Sequence, residues 1–429
     1  MERYEKYKDS GVEWIGEIPE EWEVKRFKYL FDLITDKTED DFPKIGLENI
    51  ESESGKLIQT ETDFEGDGVH FKVGDILFGK LRPYLAKVYL ANFQGKAIGD
   101  FFIFRSKNEI SENYGSKLIL SKRFIETTNG STFGSKMPRV SWDFISNLEI
   151  AYPTIPIQTA IANYLDRKTA EIDELIAQKE RLLELYEEEK TAIINQAVTK
   201  GIDPNVKLKD SGIDWLGEIP EGWEVKKLAR TVKKLTNGYV GPTIGIMQSK
   251  GVPYIQGIHI KNNTINFTPN GNYYVSQEWS VAHEKSILKT NDLLVVQTGT
   301  IGDVGIVPDE FEDANCHALL IVRVNKLVFK PKYFLFLLVS QYGYASLQQI
   351  KTGEILFHIN GSKLKGVDVL VPPLKDQNAI VHHIETETTR INAKIARTKQ
   401  IIELQKEYRT ALISEVVTGK IKVTQEAAS

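Results

Sequence analysis

The stretch "YKDSGVEWIGEIPEEWEV" (Tyr7 to Val24) returns as "LKDSGIDWLGEIPEGWEV" (Leu208 to Val225), with thirteen of eighteen positions identical. Both tryptophans (Trp14, Trp22 against Trp215, Trp223) and the proline (Pro19 against Pro220) keep their spacing. Coincidence does not do this, so the chain is a tandem duplication. At 429 residues it exceeds what one core usually serves, and the repeat divides it in two. With 41% hydrophobic and 10% aromatic residues, each half can build its own core.

A second pair of stretches closes each half. "IPIQTAIANYLDRKTAEIDELIAQKERLLELYEEEKTAIINQAVTKG" starts at Ile155, and "PPLKDQNAIVHHIETETTRINAKIARTKQIIELQKEYRTALISEVVTGK" starts at Pro372. Setting Gln158 on Gln377 brings Ile161 onto Ile380, Ile172 onto Ile391, and Val198-Thr199 onto Val417-Thr418 without a gap. Beyond their opening prolines, both lack Gly and Pro until the last few residues, as a helix requires. Ile172, Leu175, Leu182, Tyr186 and Ile193 are spaced to share one helical face, a seam that Lys179 and Glu189 interrupt. About 40 residues at ~1.5 Å each give a rod on the order of 60 Å, longer than a globular domain needs. The two helices are expected to pair with each other, antiparallel.

Between the repeats lie strand-like runs. "DILFGKLRPYLAKVYL" from Asp75 aligns with "DLLVVQTGTIGDVGIV" from Asp292, and "FFIFRSK" with "LLIVRVNK", Arg105 against Arg323. Short β runs, turns at Gly241-Pro242 and Asn270-Gly271, and one helical stretch, "YFLFLLVSQYGYASLQQI", indicate α/β (α+β) domains. The expected architecture is two similar globular domains separated by two long antiparallel helices, with internal pseudo-twofold symmetry. The boundaries are a first domain at 1–154, a helix at 155–201, a second domain at 202–371, a helix at 372–423 and a tail at 424–429. The framework is shared and the loops are not: "KLRPYLAKV" has become "QTGTIGDVG". Retained framework is a packing requirement, whereas diverged loops imply that each half engages something different.

Catalytic signatures fail in turn. "DFEGDG" (Asp63 to Gly68) has the loose form of an S-adenosylmethionine loop, but the only paired prolines, Pro372-Pro373, precede Leu374 instead of an aromatic residue. "GSTFGSK" (Gly130 to Lys136) has the wrong spacing for a phosphate-cradling loop. The seven histidines are scattered, and His382-His383 point to different sides of a helix. The single Cys316 excludes an internal disulfide and a multi-thiolate zinc site, which suits a reducing cytoplasm; it reads as a small buried residue. No signal peptide is expected from "MERYEKYKDS", and "YFLFLLV" is too short to cross a bilayer. A binding and scaffolding role, with no metal and no membrane, is expected over an enzyme.

A net charge of −5 gives no global footprint of phosphate binding, but acidic helices can mask local basic loops. Reading a base edge needs forked donors or amides on loops, with cations nearby for phosphate. In the first half Lys80, Arg82, Tyr84 and Lys87 lie within one short stretch, and "GSKMPRVSW" adds Lys136 and Arg139. In the second half the equivalent loop offers Gln297, Thr298 and Thr300 around Gly299, and a later stretch offers Lys351, His358 and Asn360. The four repeated tryptophans recur with the framework and read as packing anchors.

The order of these parts, "G-E-I-P-E-x-W-E-V", a variable globular region, a proline-led "Q-x-x-I" and a long helix, all doubled, resembles the specificity subunit of type I restriction-modification enzymes. The resemblance implies that each variable region is a target-recognition domain reading one half of a split double-stranded DNA sequence, with the paired helices fixing the gap. It also implies two modification (methyltransferase) subunits as partners, and restriction subunits in the complete enzyme. S-adenosylmethionine, ATP and Mg would then belong to those partners, not to this chain. The alternatives are a two-domain coiled-coil adaptor for protein partners, and the recognition subunit of a different restriction-methylation system.

Overall fold

The computed structural model describes residues 2–60, 64, 66–268, 271, 273–298, 302–352 and 358–423. Asn270 of the expected turn, Gly299 and Thr300 of the second-half loop, Asp63 and Glu65 of the 63–68 stretch, and the 424–429 tail lie outside them. The chain forms two compact units, 1–181 with 398–429, and 182–397.

The first copy of the repeated stretch is a hairpin of β1 (Tyr7–Asp9) and β2 (Glu17–Pro19), with Tyr7 opposite Pro19 and Asp9 opposite Glu17. Its "D-S-G" closes a side-chain turn: Gly11 N–H donates to Asp9 Oδ1 at 3.0 Å and Val12 N–H to Ser10 Oγ at 3.1 Å. After the hairpin come β3 (Glu23–Arg26), β4 (Phe31–Ile34), β5 (Ile76–Gly79), β6 (Val88–Leu90), β7 (Phe101–Ser106) and β8 (Glu149–Tyr152). β3 pairs antiparallel with β8, so the first strand after the hairpin meets the last strand before the long helix. The main sheet runs β4-β7-β5-β6, antiparallel throughout. A smaller four-stranded sheet is built from Lys37–Thr38, Gly68–Phe71, Gly95–Ala97 and Lys44–Ile45. α1 (Glu112–Leu120) and α2 (Lys122–Gly130) cover the main sheet, and Phe27, Phe31, Phe78, Phe104 and Phe124 fill the core between them with ring centroids 4.4–6.4 Å apart where they touch. The long helix α3 (Ile155–Lys200) follows.

The second half repeats this order. β9 (Leu208–Asp210) and β10 (Glu218–Pro220) form the same hairpin in the same register, with Asp210 and Ser211 making the same turn. β11 (Glu224–Lys227), β12 (Val232–Asn237), β13 (Leu293–Val296), β14 (Val304–Ile306) and β15 (Leu319–Val324) lead to a sheet ordered β12-β15-β13-β14, extended by Thr264–Ile265 and Ile260–Lys261. α4 (Pro331–Val339) and α5 (Gln341–Gln349) cover it. Then come the short hairpin β16 (Lys351–Thr352) and β17 (His358–Ile359), the helix α6 (Gly361–Lys365), β18 (Asp368–Val371) paired to β11, and the long helix α7 (Leu374–Val417). The single helix expected over 333–350 is thus two. Ser340, extended at φ −67° and ψ 164°, stops α4 and accepts the Gly343 N–H to start α5, as Ser121 does between α1 and α2.

Three buried devices recur. Arg105 grips both oxygens of Asp75 at 2.7 Å, and Arg323 does the same to Asp292; each carboxylate also takes a backbone N–H, from Lys72 or Lys289. The buried Gln158 accepts the Ser111 N–H at 2.8 Å and donates to the carbonyls of Glu109 and Pro153. Gln377 does likewise with Lys330, Val328 and Pro372. Tyr114 donates to the carbonyl of Val417, and Tyr333 to that of Val198, fastening each domain to the last turn of a long helix.

Each long helix ends at a glycine in the left-handed region, Gly201 (φ +79°) and Gly419 (φ +73°), against the proline and tryptophan of a repeated hairpin. The second hairpin thereby caps the helix that precedes it. The first caps the last long helix, bringing Glu2 beside Lys422. Trp22 and Trp223 are buried there; Trp14 is half-buried, and Trp215 stacks on Tyr342 at 5.1 Å.

Within each unit a segment of one long helix lies on a segment of the other. Asp173 meets Arg409 at 2.6 Å in the first unit. In the second, Glu189 meets Arg390 at 3.2 Å and Lys394 lies over the Tyr186 ring, so the segments run antiparallel. Ile172 and Ile176 carry the buried seam; Leu175, placed on it by spacing, is 45% exposed, because the i, i+4 pair takes the contact. Cys316 is buried and unbridged, and burial pushes its thiol up. Among the described residues no helix is long and apolar enough to cross a membrane.

Candidate nucleic-acid interface

In the first half, β5 leaves the sheet at Gly79 and the chain bends sharply, with Arg82 (φ +50°) and Ala86 (φ +47°) both left-handed around a 3-10 turn at Pro83–Leu85. A hairpin from Phe133 to Arg139 lies alongside: Arg82 N–H donates to Pro138 O, and Val140 N–H to Lys80 O. Four predicted residues meet here. Arg139 is held by both oxygens of Asp100 at 3.1 and 2.8 Å, and Lys80 approaches the same carboxylate at 3.9 Å while lying over the Phe102 ring. Arg82 and Lys136 are exposed, and among the described residues neither side chain has an acidic partner.

Two predicted residues point elsewhere. Lys87 donates to the carbonyls of Leu47 and Ile50 at 2.7 and 2.9 Å, tying down a neighbouring loop. Tyr84 lines a cavity of about 670 Å³ with Leu120, Ile125, Lys406, Thr410 and Ala411.

The second half puts its own residues at the equivalent end of its sheet. Thr298 is exposed just past β13. Gln297 is buried; its carbonyl accepts the Ile359 N–H at 3.0 Å, which brings the β16–β17 hairpin to the strand end, while its Oε1 has no partner among the described residues. Lys351 and His358 lie on that hairpin. Asn360 accepts the Ser362 N–H at 2.7 Å and so caps α6. Thr298, Lys351 and His358 therefore share this sheet end with the buried Gln297.

Residues that the sequence reading missed share these rims. The hairpin tip in the first half presents Phe133 and Met137. In the second, the loop after β12 presents Val240 and Ile244, and behind it Tyr239 sits edge-on to Trp279 and His283 at 5.0 and 4.9 Å. His317 hydrogen-bonds Tyr254 at 3.2 Å, and its burial holds its basicity below the usual range. The only sequence signal was apolar residues inside turn-rich stretches, "STFGSKMP" and "NGYVGPTIG". Among the described residues no group of three or more His, Cys, Asp or Glu could hold a metal.

The profile of the type I restriction modification DNA specificity domain matches this chain twice, at residues 19–185 and 220–404. The type I restriction enzyme MjaVIII specificity subunit of Methanocaldococcus jannaschii is 24% identical over 432 residues, 95% of this chain and 94% of that protein. Among solved structures, the HsdS subunit from Thermoanaerobacter tengcongensis has a similar fold at a TM-score of 0.57 and 16% identity, covering 94% of this chain and 98% of that one. A chain from work on assembly and conformational transition of the type I R-M system reaches 0.69 at 15% identity, covering 94% and 99%.

Proposed function

The chain belongs to the family of type I restriction-modification DNA specificity domains, and from that premise we propose that it is a non-catalytic specificity subunit whose two domains each read one half of an asymmetric, bipartite duplex target. One observation carries this reading. The two halves keep their hairpins, sheet order and buried Asp-Arg and Gln anchors, yet at the equivalent sheet end the first half presents Lys80, Arg82, Lys136 and Arg139 and the second presents Thr298, Lys351 and His358. A fixed mount with exchanged fingertips is what reading two different base sequences demands. Arg82 and Lys136 supply cations for phosphate in the first half. Arg139 presents its remaining N–H groups from a guanidinium already fixed by Asp100.

The paired helices act as the ruler between half-sites, since duplex positions repeat every ~34 Å and a rigid spacer selects one separation. They also carry two related cavities. One in the first unit is lined by Lys122, Lys406, Thr410 and Ala411; one of about 620 Å³ in the second unit is lined by Gln341, Glu187, Thr191 and Ala192. Thr410-Ala411 and Thr191-Ala192 are equivalent in the helix repeat, so the cavities suit two copies of one partner, the modification subunit. In this reading the partners bring S-adenosylmethionine for adenine methylation, and restriction subunits bring ATP and Mg. The complex works in the cytoplasm, where its DNA is.

The test is selection from a random-duplex pool by the full chain, alone and with its co-purified partner. The expected result is one split sequence, enriched most with the partner present, and a methyltransferase as that partner. Enrichment of no duplex, with protein partners retained, would select the adaptor reading instead.

A further inference from the structure

We infer that each domain carries an apolar wedge beside its polar readers, Phe133 with Met137 in the first half and Ile244 with Val240 in the second, and that these side chains enter the base stack of the bound duplex and open one step in each half-site. The inference rests on the DNA-reading function proposed above and deepens it.

The side chains are held out, not left over. Phe133 is 61% and Met137 48% exposed; Val240 is 66% and Ile244 94% exposed. A slack loop with such residues would fold them onto the protein, but both loops are pinned. Phe133 and Arg139 exchange reciprocal backbone bonds at 3.0 Å, closing a tip whose Gly134 takes the left-handed conformation at φ +92°. In the second half Tyr239 N–H donates to Cys316 O and Ala318 N–H to Tyr239 O, both at 2.9 Å, while Gln248 and Tyr274 exchange bonds at the far end of the loop.

Placement is the stronger argument. The first tip follows α2 and the second follows β12, so the two are not copies of one ancestral loop. Both loops are nevertheless rooted at the same end of their sheets: the first through Pro138 and Arg139 on Arg82 and Leu81 just past β5, and the second through Gly238 on Leu319, which pairs with Val296 at the end of β13. Unrelated segments that arrive at one place with one property indicate a demand of the ligand, not inheritance.

In the first half, charge identifies that ligand. Lys136 sits on the same hairpin as Phe133, and Arg82 is bonded to its base; neither has a carboxylate partner among the described residues. Unpaired cations around an apolar tip fit an anionic shell with an apolar interior, which is duplex DNA: phosphates outside, stacked bases within. Apolar wedges between base steps are a known way to deform a duplex, and pyrimidine–purine steps open most easily.

The experiment uses the full chain with its partner and the duplex enriched in the selection above, carrying 2-aminopurine at each position in turn. The wild-type complex should brighten one step in each half-site. F133S should abolish the signal in the first half-site only and weaken binding roughly tenfold, within the range of aromatic–base stacking, while F133L retains both. I244S should do the same to the second half-site. Because Phe133 and Ile244 are exposed, these variants should unfold at the wild-type temperature. Brightening caused by a methyltransferase extruding its adenine would persist in both variants, which separates the two events. Signals and affinity unchanged in F133S and I244S overturn the wedge. So does a wild-type complex that weakens as much when thymines are replaced by uracil, since that marks a methyl contact. A wild-type complex that enriches no duplex overturns the DNA-reading function, and the wedge with it.

Discussion

Gln158 and Gln377 are buried with both side-chain polar atoms hydrogen-bonded, and each joins the first turn of a long helix to the start of the helix that covers its sheet. Replacing Gln158 by Leu keeps the volume but removes the partner of the Ser111 N–H and of the Glu109 and Pro153 carbonyls. An unpaired buried backbone group costs about 1–3 kcal/mol, so Q158L should lose roughly 2–4 kcal/mol of stability in urea unfolding of the first unit. An unchanged midpoint would mean that water replaces the amide. At the same scale, the sequence shows why some side chains were legible and others not. The glutamines, prolines and buried tryptophans stood out because packing preserved them in both copies. Lys87 and Lys80 are alike as letters; only the left-handed backbone at Arg82 and Ala86, adopted without glycine, turns one toward Leu47 and Ile50 and leaves the other at the rim. Asn360 resembled a base-reading amide and is a helix cap, a role its position before "GSK" could have suggested.

Among the elements, the long helices were the easiest to foresee, since a Gly- and Pro-free run with apolar spacing has few other folds. Their seam was harder. Leu175 and Ile176 are both apolar neighbours, and only the partner helix decides which one is covered. The break at Ser340 was missed because "YFLFLLVSQYGYASLQQI" is apolar on both sides; the serine that caps α5 is the signal. If the paired helices are a ruler, deleting seven residues between Ile172 and Ile194, with the facing turns of α7, removes roughly 10 Å while keeping the face nearly in phase. The selected sequence should then show its gap shortened by about three base pairs of ~3.4 Å each, or no enrichment, with both half-sites unaltered where binding persists. Recovery of the original gap would contradict the ruler.

For the whole molecule, duplication explains why so little of the interface could be read in advance. The fold is written twice, so comparing the copies exposes it; the rims are written once each, and one instance gives no contrast between a reader and a surface residue. Phe133 and Ile244 illustrate this, since their loops stand at different places in the order of elements, one after α2 and the other after β12. The same division makes the central claim testable. β3 and β8 pair at the neck of the first domain, so Lys25 to Tyr152 can be exchanged as a block whose junctions fall on two hydrogen-bonded strands. The most direct measurement is to replace that block with the matching region of a relative and select again from a random-duplex pool. The account predicts a target in which one half-site is new while the other half-site and the gap are unchanged. A sequence altered in both halves would contradict it.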